Sequence, residues 1–252
     1  MSTDNPEFAP EERRKSAASR DPASPRDSAA SAGIRRRLLD EAARTLVEEG
    51  PAALSARRLV KAVGASTMAV YTHFGSMPGL VREVMREGFG RFQARVEGVQ
   101  PAVGLDADPV RELAELCCVY QEFARTEPEV YAVLFGGSAL AGFELTDEDR
   151  NLGVRLLWFP RDAILRCIAA GRFRADVDAD LAVRQLFAQM HGLAQLTRAG
   201  YIMGGYEPGD VLEGMLRDFA VAAGDAPDRA ARSVRSGLSQ AVTHVVRRTS
   251  RL

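Results

Sequence analysis

"TMAVYTHFGSMPGL", Thr67 to Leu80, gathers Tyr71, His73, Phe74 and several small polar side chains directly after the glycine of "VGAS". Catalysis here would call for a carboxylate or a second histidine, and the stretch has neither. The mixture suits a surface that touches a partner. Upstream, Ser55 is the expected N-cap of a short helix, Ala56 to Ala62, buried through Leu59 and Val63. Gly64 supplies a turn, and Ser66 caps the quoted helix to about Phe74. Short helix, glycine turn, short helix is a helix-turn-helix, whose second helix can lie in a DNA major groove. Val70 and Phe74 are expected to face the core with Leu59 and Val63. Ser66, Thr67, Met68, Ala69, Tyr71, Thr72 and His73 are left outside it. Tyr71 and His73 can donate hydrogen bonds to phosphates, while Thr67, Met68 and Ala69 are short enough to approach base edges. The competing reading is a helix-Gly-helix turn that binds nothing.

Working outward, the charge is uneven. Residues 34–77 carry seven Lys/Arg against four Asp/Glu, whereas residues 78–252 carry 21 against 24. A basic module on a mildly acidic body suits a negatively charged partner that only one part approaches; chance clustering on a solvated face is the alternative. Residues 1–33 are Ser, Ala, Pro and charge, with Met1 and Phe8 as the only large apolar side chains, and are expected to be a disordered tail. A helix-turn-helix domain is expected over 34–78 and a larger helical domain over 79–252. No apolar run nears the roughly 20 residues of a membrane span, and no charged start followed by an apolar stretch marks a signal peptide. Cys117, Cys118 and Cys167 lie on apolar helical patterns and are expected as buried thiols, so the protein is expected to be cytoplasmic.

Helical periodicity runs through the chain. Ile34, Leu38, Ala42 and Leu46 make the first stripe, ended by Gly50-Pro51. Leu80, Val81, Val84, Met85, Phe89 and Phe92 make another beyond Pro78, and Val110, Leu113, Cys117, Tyr120 and Ala124 a third after Asp108-Pro109. A short "EPEVYAVLF" helix follows. Thr146 with Asp149 reads as a capping box for a helix to about Ala170, kinked or broken at Pro160 and stopped by Gly171. Further helices are expected at roughly 179–199, 209–222 and 228–248. No segment alternates with period two long enough for a strand. The fold class is all-α.

The run from Ile34 to Val81 resembles the DNA-binding domain of the TetR family of bacterial transcriptional regulators, most tellingly in "EEGPAALSARRLVKAVGAS" and "VYTHFGS", the latter matching the family's Tyr-x-His-Phe signature. The resemblance implies a three-helix DNA-binding head, a variable helical ligand and dimer domain, and a homodimer on palindromic operator DNA. "QMHGLAQLTRAG", Gln189 to Gly200, looks like the "HG" helix of one branch of the family. Two departures stand out. The family usually carries a phosphate-binding lysine where Met77 stands, and Pro78 removes a backbone N–H beside it. Phosphate contact would then pass to Arg57, Arg58, Lys61 and the Arg35-Arg36-Arg37 run. That run reads either as an arm entering the minor groove or as a solvated helical turn. The recognition helix also lacks Arg, Asn, Gln and Lys, so thymine methyls and DNA shape are left to carry readout.

In the larger domain, Phe89, Phe92, Tyr120, Phe123, Tyr131, Phe135, Trp158, Phe159, Phe187 and Met190 supply an aromatic-rich interior. Most are expected as core. Phe89, Phe92, Tyr120, Phe123, Tyr131, Trp158, Phe187, Met190 and His191 are the candidates for a small apolar effector, in a pocket that the Pro160 kink helps to open. His191 reads equally as a satisfied core histidine. Gly192 costs its helix about 1 kcal/mol relative to alanine, and Ala188, Gly192 and Ala199 would let another helix approach closely. Ala231, Val234, Leu238, Ala241 and Val245 follow the 3-4 spacing of a coiled-coil seam. These two helices from each subunit would form a four-helix dimer bundle; a purely intramolecular core is the alternative. Three histidines at 73, 191 and 244 give no metal-ligand spacing, "FGGSAL" lacks the lysine of a phosphate loop, and Ser138 has no identifiable base. No cofactor is expected. The expected function is a ligand-released repressor; a helical carrier or enzyme with a vestigial helix-turn-helix, and a scaffold with a solid core, are the competitors.

Overall fold

The apolar stripes fold as helices, each ended by the residues that lack a helical option. The computed structural model describes residues 25–99, 101, 104, 107–135 and 146–249, except the side chains of 25–28 and 242–249. Its helices are α1 (Pro25–Glu48), α2 (Ala56–Val63), α3 (Thr67–Phe74), α4 (Met77–Val96), α5 (Pro109–Thr126), α6 (Pro128–Phe135), α7 (Asp147–Leu156), α8 (Trp158–Ala169), α9 (Ala179–Arg198), α10 (Pro208–Ala223) and α11 (Pro227–Thr249), with a 3-10 turn at Pro51–Ala53. Among the described residues there is no strand, and no helix is long and apolar enough to cross a membrane.

Helices α1 to α4 form the head. Leu38, Leu39, Ala42 and Leu46 of α1 are buried, as are Leu59 and Val60 of α2, Val70 and Phe74 of α3, and Leu80 and Val81 of α4. Val63 shares the inward face of Ala56, Leu59 and Val60 at i+7, but as the last residue of α2 it is only half-buried against the core. Gly64 ends α2 in the left-handed region at φ 69°, its N–H donating to the Val60 carbonyl, and so turns the chain into α3. A residue with a Cβ would be strained there.

Two boundaries depart from expectation. Helix α1 begins at Pro25, inside the segment expected to be disordered. Proline is well suited to the first helical position, and Ala29, Ala30 and Ala32 carry the helix outward although they bury nothing. The helix expected from Thr146 to about Ala170 breaks at Leu157, ahead of Pro160. The proline ring displaces the carbonyl four residues back, at Leu156, so the break falls one turn early. The capping box at Thr146 and Asp149 is present in both directions.

Helix α5 is the axis of the body, packed by α8, α9 and α11. Because α5 is buried around most of its circumference, the final helix serves it as a lid. Ala230, Val234 and Ala241 are buried within the chain. At Gly237 a Cβ would collide with the Arg111 carbonyl and lie 2.8 Å from the Ala114 Cβ. The seam read as a dimer interface through Val234, Leu238 and Ala241 is therefore an intramolecular core: Val234 is 1% exposed, Ala241 4%, and Leu238 is half-buried against the same core. The side chain of Val245 lies outside the described residues.

A buried ion cluster ties the loops behind α5. Arg172, just after α8, donates from Nε to Asp225 at 2.9 Å, from Nη1 to Asp108 at 2.8 Å, and from Nη2 to Ser233 at 2.9 Å. Burial pushes the Asp225 pKa up, but the hydrogen bonds and charges of Arg172 and Arg229 together hold it below the usual carboxylate range. Nothing in the sequence spacing pointed to this cluster.

Candidate nucleic-acid interface and ligand cavity

The outer face of α3 carries the residues expected there. Met68 is 67% and Tyr71 48% exposed, large values for such side chains, and Ser66, Thr67 and Thr72 are exposed with them. Ala69 and His73 are half-buried at its edges. On α2, Arg57 and Lys61 are exposed, and exposed Arg58 pairs with Glu49. Together these place donors for phosphate around short side chains that can approach bases.

The arginine run of α1 is helical, which excludes an extended arm at those positions. Arg35 pairs with Glu83 of α4, and its guanidinium lies 5.7 Å from the centre of the Phe74 ring. It braces α1, α3 and α4 together rather than reaching outward, and Arg36 is the exposed neighbour. Met77 is half-buried against the core, as a thioether filler in place of an ammonium. Ser76 caps α4 by accepting from the Gly79 N–H at 3.1 Å. A Cβ at Gly79 would press into the Phe74 carbonyl, so this glycine sets how closely α4 follows the recognition helix.

In the body, helices α4 to α9 surround a cavity of about 50 Å³. Phe92, Tyr120, Phe187 and Met190 of the expected candidates line it, joined by Val96, Leu116, Cys117, Phe135, Gly153, Leu156, Leu157, Pro160, Val183 and Leu186. Both sides of the α7–α8 break contribute, which bears on the role expected of Pro160. Phe89 and Phe123 are instead buried in the packing behind the wall. Trp158 is 57% exposed, because the break at Leu157 turns the first residue of α8 to the surface.

Tyr131 and His191 stand behind Tyr120. The Tyr120 and Tyr131 hydroxyls are 2.9 Å apart, and the Tyr131 hydroxyl is 2.8 Å from His191 Nδ1. The His191 ring stacks between Tyr131 and Phe187 at interplanar angles of 26°. Burial lowers the His191 pKa and raises that of both tyrosines, so all three are neutral near pH 7. Burial likewise raises the Cys117 thiol. These partners sit 11 and 60 residues apart in sequence, which no local pattern reveals. Beyond Phe135 the "FGGSAL" stretch, with Ser138, lies outside the described residues, as does the His244 side chain.

One short helix touches both regions. Phe135 and Tyr131 of α6 belong to the cavity and its polar backing, and α6 also packs on α1 of the head. Val130 and Leu134 sit so close to α4 that a Cβ at Gly88 would lie 2.7 and 3.2 Å from them. Just before α6, Glu127 pairs with Arg91 at 3.3 Å, and Arg91 holds Asp40 of α1 at 2.8 Å.

The family model described as "Bacterial regulatory proteins, tetR family" matches residues 38–84, and the model "Tetracyclin repressor-like, C-terminal domain" matches residues 113–219. The chain is 27% identical over 165 residues to the HTH-type transcriptional repressor KstR2 of Rhodococcus jostii (strain RHA1), covering 64% of this chain and 78% of that protein. Among solved structures it is similar to a protein of unknown function from Rhodococcus sp. RHA1, with TM-score 0.62, 26% identity, and 75% and 95% of the two chains covered. The ketosteroid transcriptional regulator KstR2 of Mycobacterium tuberculosis shares the fold at TM-score 0.55 and 22% identity, over 75% of this chain and 93% of that one.

Proposed function

Because the chain belongs to the TetR family of bacterial regulatory proteins and is a DNA-binding transcriptional regulator, we propose that it acts as a homodimeric repressor released from operator DNA by a small apolar molecule. The observation that carries the reading is α6, which borders the cavity at one end and the head along its side. At about 50 Å³ the cavity is well below the roughly 150 Å³ that admits a benzene ring. A ring-sized ligand has to push its walls apart. Close-packed α6 and α4 pass that displacement to α1 rather than absorbing it. Release follows if the ligand prefers the arrangement whose two heads no longer match major grooves one turn apart.

The dimer is assigned to α9 and α10. Leu181 and Leu196 are 54% and 48% exposed on α9, with exposed Ala188 and half-buried Gly192 between them. A Cβ at Gly192 or at Gly214 of α10 would meet nothing within 4 Å. Small residues flanked by exposed leucines suit a second copy of the same face in an isologous pair. A scaffold with a solid core is disfavoured by the cavity, and a carrier with a vestigial head by the exposed α3 face.

Fluorescence anisotropy of a bound operator fragment, titrated with a panel of neutral alcohols, ketones and hydrocarbons, tests the release. At least one member is expected to free the DNA, and Val183→Phe, which enlarges a buried side chain of the cavity wall, is expected to abolish that effect. Release that survives Val183→Phe would put the ligand elsewhere.

A further inference from the structure

We propose that the cavity ligand is a neutral hydrocarbon frame bearing one hydroxyl or carbonyl oxygen, and that Tyr120 reads that oxygen through a hydrogen-bond relay to Tyr131 and His191. The proposal rests on the cavity being the effector site. Among the described residues no charged side chain lines the cavity, and Tyr120 is the only lining residue that carries a hydroxyl. An ionised ligand would enter without a counter-charge, at a desolvation cost that the apolar wall cannot offset. Tyr120 is thus the lining residue that joins the apolar wall to the polar pair behind it, its hydroxyl 2.9 Å from that of Tyr131.

The Tyr120 hydroxyl lies 2.9 Å from that of Tyr131 and 3.4 Å from His191 Nδ1, and it keeps capacity for a ligand in either of two states. With the His191 proton on Nε2, Tyr131 donates to Nδ1 and Tyr120 donates to Tyr131. The Tyr120 oxygen then accepts from a ligand hydroxyl. With the proton on Nδ1, each bond reverses, and Tyr120 donates to a ligand carbonyl. Both states keep all three groups neutral and paired, so the same site serves an alcohol or a ketone. The relay is well placed to hold its direction, since the His191 ring is stacked between Tyr131 and Phe187, and Phe92 packs edge-on against Tyr120 at 5.7 Å between ring centres.

Calorimetry of the full chain with cyclohexanol, cyclohexanone, methylcyclohexane and cyclohexanecarboxylate tests the assignment. The alcohol and the ketone are expected to bind about tenfold more tightly than methylcyclohexane, the worth of one buried hydrogen bond, and the carboxylate more weakly than all three. Tyr120→Phe is expected to bring the alcohol and ketone to within about threefold of the hydrocarbon measured on the same variant. Methylcyclohexane binding as tightly as cyclohexanol to the wild type overturns the relay but keeps the cavity as a binding site. So does a preference that survives Tyr120→Phe. A carboxylate that binds best overturns the neutral class. If none of the four binds at millimolar concentration, the cavity reading itself falls, and the proposal with it. The wild-type series decides these outcomes even if the variant does not fold.

Discussion

Gly192→Leu separates the two kinds of packing that the helical body contains. In one protomer the new side chain meets no atom near its Cβ position, and leucine is about 1 kcal/mol better than glycine inside a helix. The isolated protomer is therefore expected to gain up to about 1 kcal/mol, or roughly 2–4 °C in melting temperature for a chain of this size. In an isologous dimer the same leucine appears twice at the closest approach of the facing helices. Overpacking costs about 1–3 kcal/mol per site, so the pair loses roughly 2–6 kcal/mol, a weakening of about 30-fold to 10⁴-fold in the dimer dissociation constant. Sedimentation equilibrium over a concentration series reads the dissociation constant, and melts at the lowest concentration read the protomer. Gly237→Ala is the opposite control: its methyl collides with the Arg111 carbonyl inside the chain and lowers the melt without involving the α9–α10 face. A Gly192→Leu protein that dimerises as tightly as the wild type would refute the interface. One that melts lower as a protomer would show that Gly192 faces its own chain.

Arg172→Met removes the donor shared by Asp225, Asp108 and Ser233, leaving Asp225 with Arg229 and the Ala226 N–H, and is expected to cost about 3 kcal/mol in denaturant unfolding; a loss under 1 kcal/mol would mean that the cluster is solvated. Met77→Lys can extend its ammonium past the half-buried stem and is expected to tighten DNA binding and steepen its salt dependence by about one counterion; an unchanged slope would place the start of α4 away from phosphate. Because burial lowers the His191 pKa from its ordinary 6.5, the neutral ring belongs to the native state, and its contribution is fully present above 6.5 and lost as pH falls through the lowered native value. The melting-temperature advantage of the wild type over His191→Gln is expected to shrink between about pH 7 and pH 5, and a constant difference would contradict the neutral assignment. Asp225, whose pKa is lowered from 3.8, titrates below that window.

Features with a local cause were legible in the sequence. Gly64 had to turn, Asp108-Pro109 had to start a helix, Thr146 had to cap one, and Val70 and Phe74 had to share a face, because each follows from a few neighbouring residues; α2, α3, α5 and α9 accordingly fall within a residue or two of expectation. The outer face of α3 was readable for the same reason. What could not be read was which of two apolar helices turned inward. The spacing of α11 fits a dimer seam and an intramolecular lid equally well, and only the Gly237 approach to α5 decides between them. Trp158 misled because its exposure depends on a break at Leu157 that Pro160 causes from three residues away. Arg35 looked like a free cation because Glu83 and Phe74 lie far off in sequence. The Tyr120–Tyr131–His191 relay was hidden likewise: its members were named one by one, and their connection exists only after α5, α6 and α9 pack.

Selection of bound sequences from random duplex DNA tests the central claim most directly. The full-length protein is expected to enrich a two-fold symmetric sequence whose half-sites lie about one helical turn or a multiple apart, preferred by at least roughly 10³-fold over unselected DNA near physiological salt. Repeated with Tyr71→Phe, the selection is expected to return the same sequence at lower affinity, since that hydroxyl is assigned to phosphate. Repeated with Met68→Gln, it is expected to return an altered half-site, since Met68 is assigned to base edges. A wild-type protein that enriches no sequence over the starting pool would contradict sequence-specific binding through the exposed face of α3.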